Sequence, residues 1–463
     1  MRVTVALFIL LFAARAAAQG ESETDSASAL PVARMLRLPS ALTTLLIARS
    51  PEVAAQRAAV IAAQARSRAT GFAPSATLVA ETEEVPGGLN LGRANSRVSL
   101  ERELLTGGRR RAARALGRVD VVFARAVLLA TVQRTLASAS RSYAAAMGWS
   151  AIQRRLAGED SLLASADVSL RTRFAAGQAR YADVLRIRTE RLRVESGAAS
   201  ALAEAKAARF ALDGLAGITI GKEAGDGPSR TRDASATVLD SLLSEMSMML
   251  APDTLPTPPS VDSLLAASAA ARAGEATVAT AQAARGVVLA DQRPRITAYL
   301  GGQRFLQEGQ GFTFGPVFGA TVSLPFTARR ANEASLIAAE QGIVTAQAER
   351  TATLISLRAE LAGAIARYQA ARERWASYSG ALLRGAREER EAALASYRGG
   401  ELTLLELIDF ERALAQAEMD RIHAAIDASD ALANLVAPSL TVVEPPVGSG
   451  SPTSFNPSLR NAP

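Results

Sequence analysis

Residues 312–326 alternate between apolar and small or polar side chains. The even positions carry the apolar set, which is Phe312, Phe314, Pro316, Phe318, Ala320, Val322, Leu324 and Phe326. A period of two places each kind of side chain on one face of a strand. A membrane-spanning strand needs about 9–11 residues of this alternation, with aromatic residues near its ends. The segment therefore predicts a membrane strand, and the alternative is a long strand of an ordinary β-sandwich.

Weaker strand patterns indicate two strand pairs, at 75–104 and 295–326, each with a glycine-containing turn. An alanine-rich stretch with helical character precedes each pair, at 42–69 and 261–290. In the first of these helices, Ser50 and Pro51 occupy the positions preferred for an N-cap and a first helical residue. The same order of elements thus occurs twice.

A very long helical pattern follows each strand pair. No proline lies between Pro86 and Pro228 or between Pro325 and Pro438, and proline is the residue that most strongly breaks helices. In the first run, apolar residues step by three and four, as in a coiled-coil seam. They are Leu129, Val132, Leu136, Ala139, Tyr143 and Ala146. We expect the glycines at 148 and 158 to weaken this helix.

Each run contains a similar motif where the chain is predicted to turn back. Residues 174–185 align with residues 397–408 at an offset of 223, which pairs Gly177 with Gly400. The interpretation is a duplication that forms two long antiparallel helical hairpins. A helix as long as residues 108–174 would extend roughly 100 Å, so it needs the returning helix as a partner.

Proline, glycine and polar residues mark the boundaries of the repeats. The predicted organisation is a signal peptide at 1–18, a first repeat at 19–217, a linker at 218–260, a second repeat at 261–437 and a disordered tail at 438–463. The hairpin tips lie near residues 177 and 400. Within the linker we expect one short helix, at 238–250.

The N-terminus has a basic residue, a short apolar stretch and an A-x-A site that ends at Ala18. This arrangement is typical of a cleaved secretory signal peptide, and the alternative is an uncleaved anchor. Its apolar part is shorter than the roughly 20 residues that span a bilayer. No other apolar run reaches that length without charge, so a membrane protein of this sequence would enter the membrane as strands.

The composition leaves little material for catalysis. The chain has no cysteine and one histidine, His423, which excludes disulfides, thiolate metal sites and a histidine-based acid/base pair. Glu159, Asp160 and Ser161 are adjacent but have no histidine partner. The 52 basic residues are interspersed with 45 acidic ones, a pattern of solvated helix surfaces rather than of nucleic-acid binding. We therefore predict no enzyme activity, no cofactor, no metal site and no nucleic-acid partner.

Four strands cannot close a barrel, because small closed barrels use about eight or more, and a sheet in lipid must leave no unpaired edge. The predicted fold class is mainly α with a small β part. It has two coiled-coil hairpins and four membrane strands per protomer, and three copies would supply a 12-stranded β-barrel and an α-helical tunnel beneath it.

With these motifs the chain resembles the outer-membrane efflux channel (TolC-like) family. The resemblance covers about residues 42–437 and is carried by residues 50–53, 107–110 and 324–325, and above all by the two reversal motifs. It implies a homotrimer in the outer membrane with a periplasmic helical tunnel. It also implies a periplasmic adaptor and an inner-membrane pump as partners, and a passive duct for export.

The family's functional positions map onto particular residues here. The resemblance implies that the tips, with Gly177, Gly400, Phe174 and Tyr397, contact the adaptor. It also assigns Glu406, Asp409 and Asp183 to the periplasmic aperture. In some members a basic residue ties the closed aperture together through a salt bridge. The matching position here is Leu402, so that salt bridge is not expected. The strand pattern assigns the lipid-facing side chains, Phe312, Phe314, Phe318, Val322 and Leu324.

Helical spacing places Glu406 and Asp409 on one face, and threefold symmetry would repeat them as acidic rings that favour cations. The alternative is a solvated helix face, because Glu411 and Arg412 adjoin them. An alternative for the whole chain is a periplasmic coiled-coil adaptor or scaffold. Such proteins normally have one hairpin, whereas this sequence predicts two.

Overall fold

The structure is a computed structural model. It describes residues 38–70, 74–83, 95–106, 108–218, 255–307, 311–324 and 329–439. The predicted signal peptide lies outside these residues, as do the helix predicted at 238–250 and nearly all of the predicted tail.

The first repeat begins with two short helices, α1 (Ser40–Arg49) and α2 (Pro51–Ala69). The prediction of one helix over 42–69 is wrong at Ser50, where ψ is 125°. The reason is local, because a residue before proline is driven out of the helical region. Pro51 is the first residue of α2, as the sequence predicted, although the Ser50 side chain makes no capping hydrogen bond.

Two strands, β1 (Thr77–Glu83) and β2 (Asn95–Leu104), lead into the long hairpin of α3 (Arg109–Ala175) and α4 (Tyr181–Leu215). The 67 residues of α3 are continuous, so the glycines at 148 and 158 do not interrupt it. A Cβ at Gly148 would lie 2.4 Å from Ile426. This glycine therefore allows close approach of a helix from the second repeat.

The second repeat follows the same order. It consists of α5 (Val261–Ala267), α6 (Ala269–Asp291), β3 (Arg295–Gln307), β4 (Gly311–Ser323), α7 (Arg329–Ser377), α8 (Leu383–Gly399) and α9 (Leu404–Val436). The helix predicted over 261–290 is divided at Ser268, whose side chain caps α6 by accepting a hydrogen bond from the Ala271 N–H. A single π-helical turn at Tyr378–Leu382 joins α7 to α8.

The four strands form one antiparallel sheet in the order β1-β2-β3-β4. The middle pairing joins the repeats, with Leu100 opposite Leu300 and Leu104 opposite Ile296. Strands β1 and β4 are therefore the outer strands, and each has a single neighbour in the part of the chain that the structure describes.

The two faces of the sheet differ in polarity. One face exposes large apolar side chains on successive strands, including Leu78, Leu100, Leu300, Phe314 and Phe318. The other carries Arg97, whose guanidinium lies 4.3 Å from the Tyr299 ring centroid and within 4.0 Å of Glu81 and Glu101. An apolar face with this exposure is energetically unfavourable in water.

Helices α2, α3, α6 and α7 contact one another in that order next to the sheet. Further along, α3 contacts α4 and α9, and α9 contacts α8. The main core lies between these helices and is centred on Tyr368, which is fully buried and donates its hydroxyl to the Pro256 carbonyl over 2.7 Å. Among the described residues, none of these helices is both long and apolar enough to cross a bilayer.

Glycine at position 301 permits the close pairing of β2 and β3. A Cβ there would lie 2.1 Å from the Val98 carbonyl oxygen and 2.5 Å from the Ser99 Cα, and both are backbone atoms that cannot move without disturbing the pairing. We expect Gly301→Ala to lower the free energy of unfolding by about 1–3 kcal/mol, the usual cost of overpacking. Thermal unfolding followed by circular dichroism measures the change.

The matched control is Gly286→Ala in α6, where a Cβ would meet no heavy atom within 4 Å. This substitution should raise stability by about 0.5–1 kcal/mol because alanine restricts the unfolded chain. If Gly301→Ala unfolded at the same temperature as the wild type, glycine would not be needed for the pairing.

Candidate functional site

The tip of the first hairpin is a helix end closed by a left-handed glycine. Gly177 has φ of 72°, and the N–H of the next residue, Gln178, donates to the Arg173 carbonyl over 2.8 Å. This is the hydrogen bond of a Schellman cap. The Phe174 ring lies beside it, exposed, with its centroid 5.6 Å from that of Tyr181.

The second tip repeats this geometry atom for atom. Gly400 has φ of 81°, and the Glu401 N–H donates to the Ser396 carbonyl over 2.9 Å. Both residues of that bond lie 223 positions after their counterparts in the first tip. No heavy atom lies within 4 Å of a Cβ placed on either glycine, so backbone conformation and not lack of space requires glycine. Tyr397 is half-buried at this tip.

The returning helices begin differently in the two repeats. In α9, Thr403 and Glu406 form a capping box, in which the Thr403 N–H and hydroxyl both donate to Glu406 Oε2 over 2.8 Å. These hydrogen bonds hold the pKa of Glu406 below its usual value, and the bond from the Thr403 backbone N–H has the larger effect. In α4 the equivalent of Thr403 is Arg180, whose side chain makes no cap, and Asp183 is half-buried in the first turn.

Asp409 is joined to the other repeat by an ion pair. Arg186 Nη2 on α4 lies 3.1 and 3.0 Å from its two carboxylate oxygens. On the same helix as Asp409, Arg412 lies 3.6 Å from Asp409 and 3.2 Å from Glu190 on α4. Arg186, Asp409, Arg412 and Glu190 form what we term the tip charge network, which links α4 to α9.

Apolar packing supports this network. Val184 and Ile187 on α4 are buried in a cluster that extends along α3, and Leu404, Leu405 and Ile408 of α9 pack against it. The two returning helices are therefore held together by apolar contacts as well as by charge.

Glu159 is a buried acid on α3 next to the same helices, with 8% of its surface exposed. Burial raises the pKa of Glu159. The nearby positive charges of Arg155 and Arg412 oppose this shift, whereas the negative charges of Glu190 and Glu411 add to it. Within the described part of the chain, no group of three or more acidic or histidine side chains is placed to hold a metal ion.

The predicted lipid-facing residues lie on the apolar face of the sheet. Phe314 and Phe318 are 76% and 77% exposed, and Val322 and Leu324 are also exposed. The side chain of Phe312 lies outside the described residues. Their contact with lipid stays a prediction, because a single protomer carries no membrane.

Residues 261–438 match the family described as outer membrane efflux protein. This segment is similar to the outer membrane efflux protein domain. It includes both strands of the second pair, the second tip, Glu406 and Asp409. The resemblance inferred from the sequence is confirmed, and so is a mainly α fold with a small antiparallel sheet. The trimer and its 12-stranded barrel stay a prediction. No curated protein sequence matches the chain.

Solved structures extend the likeness of this efflux-protein domain to both repeats. The open state of the MtrE outer membrane channel of Neisseria gonorrhoeae superposes with a TM-score of 0.66 at 17% identity, covering 88% of this chain and 89% of that one. The VceC outer membrane protein of Vibrio cholerae gives 0.64 at 19%, covering 88% and 97%. A membrane protein from Pseudomonas aeruginosa gives 0.65 at 20%, covering 88% and 93%. At these identities the likeness concerns the fold.

The sequence leaves two interpretations of Glu406 and Asp409 open, which are acidic rings and a solvated helix face with Arg412 beside it. The structure places Arg412 at 3.6 Å from Asp409 and adds the partners that the sequence did not indicate, Thr403 for Glu406 and Arg186 for Asp409. The offset of 223 was a usable signal, because Arg186 is the repeat equivalent of Asp409. No signal in the sequence indicated that Glu159 is buried.

The tip charge network predicts the outcome of charge reversal. We expect Arg186→Glu to bring like charges together and to increase amide hydrogen exchange in residues 181–190 and 404–412. The double reversal, Arg186→Glu with Asp409→Arg, should exchange more slowly than the single variant because the new pair attracts. Recovery should be partial, since the arginine introduced at 409 also lies next to Arg412. Because both side chains are exposed, the change in stability should stay below about 1 kcal/mol.

Arg188→Glu is the matched control, since it makes the same change on an exposed position of the same helix. It should leave exchange at 404–412 unchanged. If the double reversal exchanged as fast as the single variant, the pair would not join the helices.

The buried Glu159 predicts a pH-dependent gain of stability on removing its charge. Its pKa is higher in the folded protein than in the unfolded chain, so its ionisation lowers stability at neutral pH, and that loss disappears as the pH falls through the raised pKa. Glu159→Gln should therefore unfold at a higher temperature than the wild type at pH 7. The difference should shrink on acidification towards 4.5, the ordinary carboxyl value. Glu388→Gln, at an exposed position, should show no such dependence.

Proposed function

We propose that this chain is the outer-membrane channel component of a tripartite efflux or export system. It is a passive duct rather than an enzyme, and it receives cargo from a periplasmic adaptor and an inner-membrane pump. The observation that carries the proposal is one sheet, apolar on one face and polar on the other, with two outer strands and two long helical hairpins attached to it.

The sheet requires copies of itself in a membrane. Strands β1 and β4 each leave one row of backbone groups without a partner strand among the described residues, and lipid offers no hydrogen bonds to such groups. Three protomers with four strands each supply twelve strands, enough for a closed barrel. The homotrimer is thus the assembly in which β4 of one copy pairs with β1 of the next.

The different polarity of the two faces of the sheet determines which face points to lipid and which lines the interior of the barrel. Leu300, Phe314 and Phe318 face lipid, and the opposite face with Arg97, Glu101 and Tyr299 lines the water-filled interior. Alternation of lipid-facing apolar and lumen-facing polar residues is the general pattern of transmembrane barrels.

The helices extend the duct away from the membrane. At 1.5 Å per residue, α3 is roughly 100 Å long, and twelve helical columns from three copies form a periplasmic tunnel. The tips then lie farthest from the membrane, where Gly177, Gly400, Phe174 and Tyr397 are placed to meet the adaptor. Their exposed glycines leave backbone accessible for a partner helix.

Glu406, Asp409 and Asp183 are the acidic residues of the tunnel end in this proposal. Glu406 keeps a negative charge to low pH because its capping hydrogen bonds lower its pKa. Arg186 offsets the charge of Asp409, so any preference of the aperture for cations depends more on Glu406 and Asp183.

The alternative of a periplasmic adaptor has less support. The chain has two helical hairpins joined through one sheet, whereas an adaptor normally has a single hairpin. The exposed apolar face of the sheet also has no place in a water-soluble scaffold.

A charge placed on the apolar face tests the assignment to the outer membrane. Arginine in the middle of the lipid-facing band costs about 2–4 kcal/mol, so Phe318→Arg should greatly reduce the heat-resistant trimer recovered from the outer-membrane fraction. The measurement is membrane fractionation followed by electrophoresis without boiling.

Val317→Arg is the control, because the adjacent residue points to the opposite face of the same strand. It should keep trimer yield near the wild-type level. Recovery of the wild type as a soluble periplasmic monomer, or equal loss in both variants, would contradict the proposal.

A further inference from the structure

The beginning of α3 is unusually basic. Between residues 109 and 125 it has six arginines and one acid, Asp120. The sequence-based description of basic residues interspersed with acidic ones therefore fails here. The arginines at 110, 111, 114 and 118 are all exposed, and they belong to the part of the helix that adjoins the sheet.

The buried Arg109 shows which side of α3 faces the interior of the duct. Its guanidinium is 3.9 Å from Glu103 and 3.3 Å from Asp291. Glu103 has the same alternation as Arg97 and Glu101, so it lies on the polar face of β2. The direction of Arg109 is thus the direction of the polar face.

The other arginines point away from that face. At about 100° per residue, Arg111 lies about 200° and Arg118 about 180° around the helix from Arg109. Gly117 faces α2, where a Cβ would lie 3.0 Å from Ser67, so the flank towards α2 is also occupied. Arg111 and Arg118 therefore continue the outer, apolar side of the sheet.

These arginines lie at the height at which the apolar face ends. Arg102 is exposed on the apolar face of β2, two residues before the strand ends, and a side chain of this length can reach towards the membrane boundary. Arg118 is nine residues into α3, roughly 14 Å along the axis. The headgroup layer on each side of a bilayer is about 5–8 Å thick. Arg118 therefore reaches this layer with its long side chain, because side chains on a helix tilt towards its N-terminus.

We propose that Arg102, Arg111, Arg114 and Arg118 form a binding surface for anionic phospholipid headgroups of the leaflet that borders the helices. The chemistry is guanidinium bound to phosphate, which arginine contacts through two parallel hydrogen bonds. The inference rests on the proposed function, because it requires the sheet to span the membrane.

The test is the selectivity of the purified wild-type trimer, reconstituted in phosphatidylcholine vesicles, for spin-labelled phosphatidylglycerol over spin-labelled phosphatidylcholine. Electron paramagnetic resonance measures the relative association constant. We expect the wild type to prefer phosphatidylglycerol, and the preference to weaken at high salt. The triple variant Arg111→Gln, Arg114→Gln and Arg118→Gln should lose this preference. We expect the relative association constant to fall about fivefold for each arginine removed.

Two further variants distinguish the effect of the positive charge at residues 111, 114 and 118 from the effect of the protein's total positive charge. Arg367→Gln, Arg372→Gln and Arg384→Gln together remove three exposed arginines far from the sheet and should leave the selectivity unchanged. Lysine at 111, 114 and 118 should keep most of it, because the charge remains. Equal loss in the distant triple variant, or full selectivity in the near one, would overturn the proposal.

Free phosphate is the competing source of the same chemistry. Inorganic phosphate added to the detergent-solubilised trimer should not raise its melting temperature, whereas phosphatidylglycerol should. Stabilisation by inorganic phosphate alone would overturn the lipid assignment. Trimers recovered from the outer membrane that show no lipid selectivity would refute this inference and leave the proposed function intact, while a soluble wild-type monomer would refute both.

Discussion

The architecture of this protein depends on the two outer strands of its sheet, each of which has one edge without a partner strand among the described residues. In water an outer strand such as β1 or β4 can be satisfied by solvent, but in hydrocarbon each unpaired backbone group costs several kcal/mol. In the proposed channel the apolar face that exposes Phe314 and Phe318 contacts lipid, and lipid in turn requires the edges to be paired. Assembly of the proposed channel is then a condition of folding in the membrane rather than a later step, and the helices attached to the sheet take the same symmetry.

The two repeats are joined by main-chain pairing in the sheet and by ion pairs between the helices. Main-chain pairing of β2 with β3 joins them in the sheet. At the junction with the helices, Arg109 reaches Asp291, and at the tips Arg186 reaches Asp409. Between these levels α9 packs directly on α3, where Gly148 leaves room for Ile426. Ion pairs of Arg141 with Asp430 and of Arg155 with Glu418 cross the same contact.

Patterns with a strong local cause were predictable from the sequence. Alternation at β4 and the reversal glycines each reflect one steric rule, the pleat of a strand or the left-handed cap of a helix. The break at Ser268 has no signal, because the alanine-rich pattern runs through it. At Ser50 the cap and proline signals of a helix start are present, although residues 42–69 were interpreted as one helix. The partner of Asp409 and the burial of Glu159 depend on which helices lie side by side, and an exposed and a buried acid have the same sequence signature.

Duplication explains why the tips can carry a pair of opposite charges. Arg186 and Asp409 are equivalent positions, 223 residues apart. In a ring built from one repeated hairpin, equivalent positions would hold the same residue, and two like charges facing one another would repel. A chain with two repeats removes this restriction, because one copy can become basic and the other acidic. The same freedom allows a capping box at Thr403 and none at Arg180. The two returning helices of one protomer can therefore differ in the hydrogen bonds that cap their first turns.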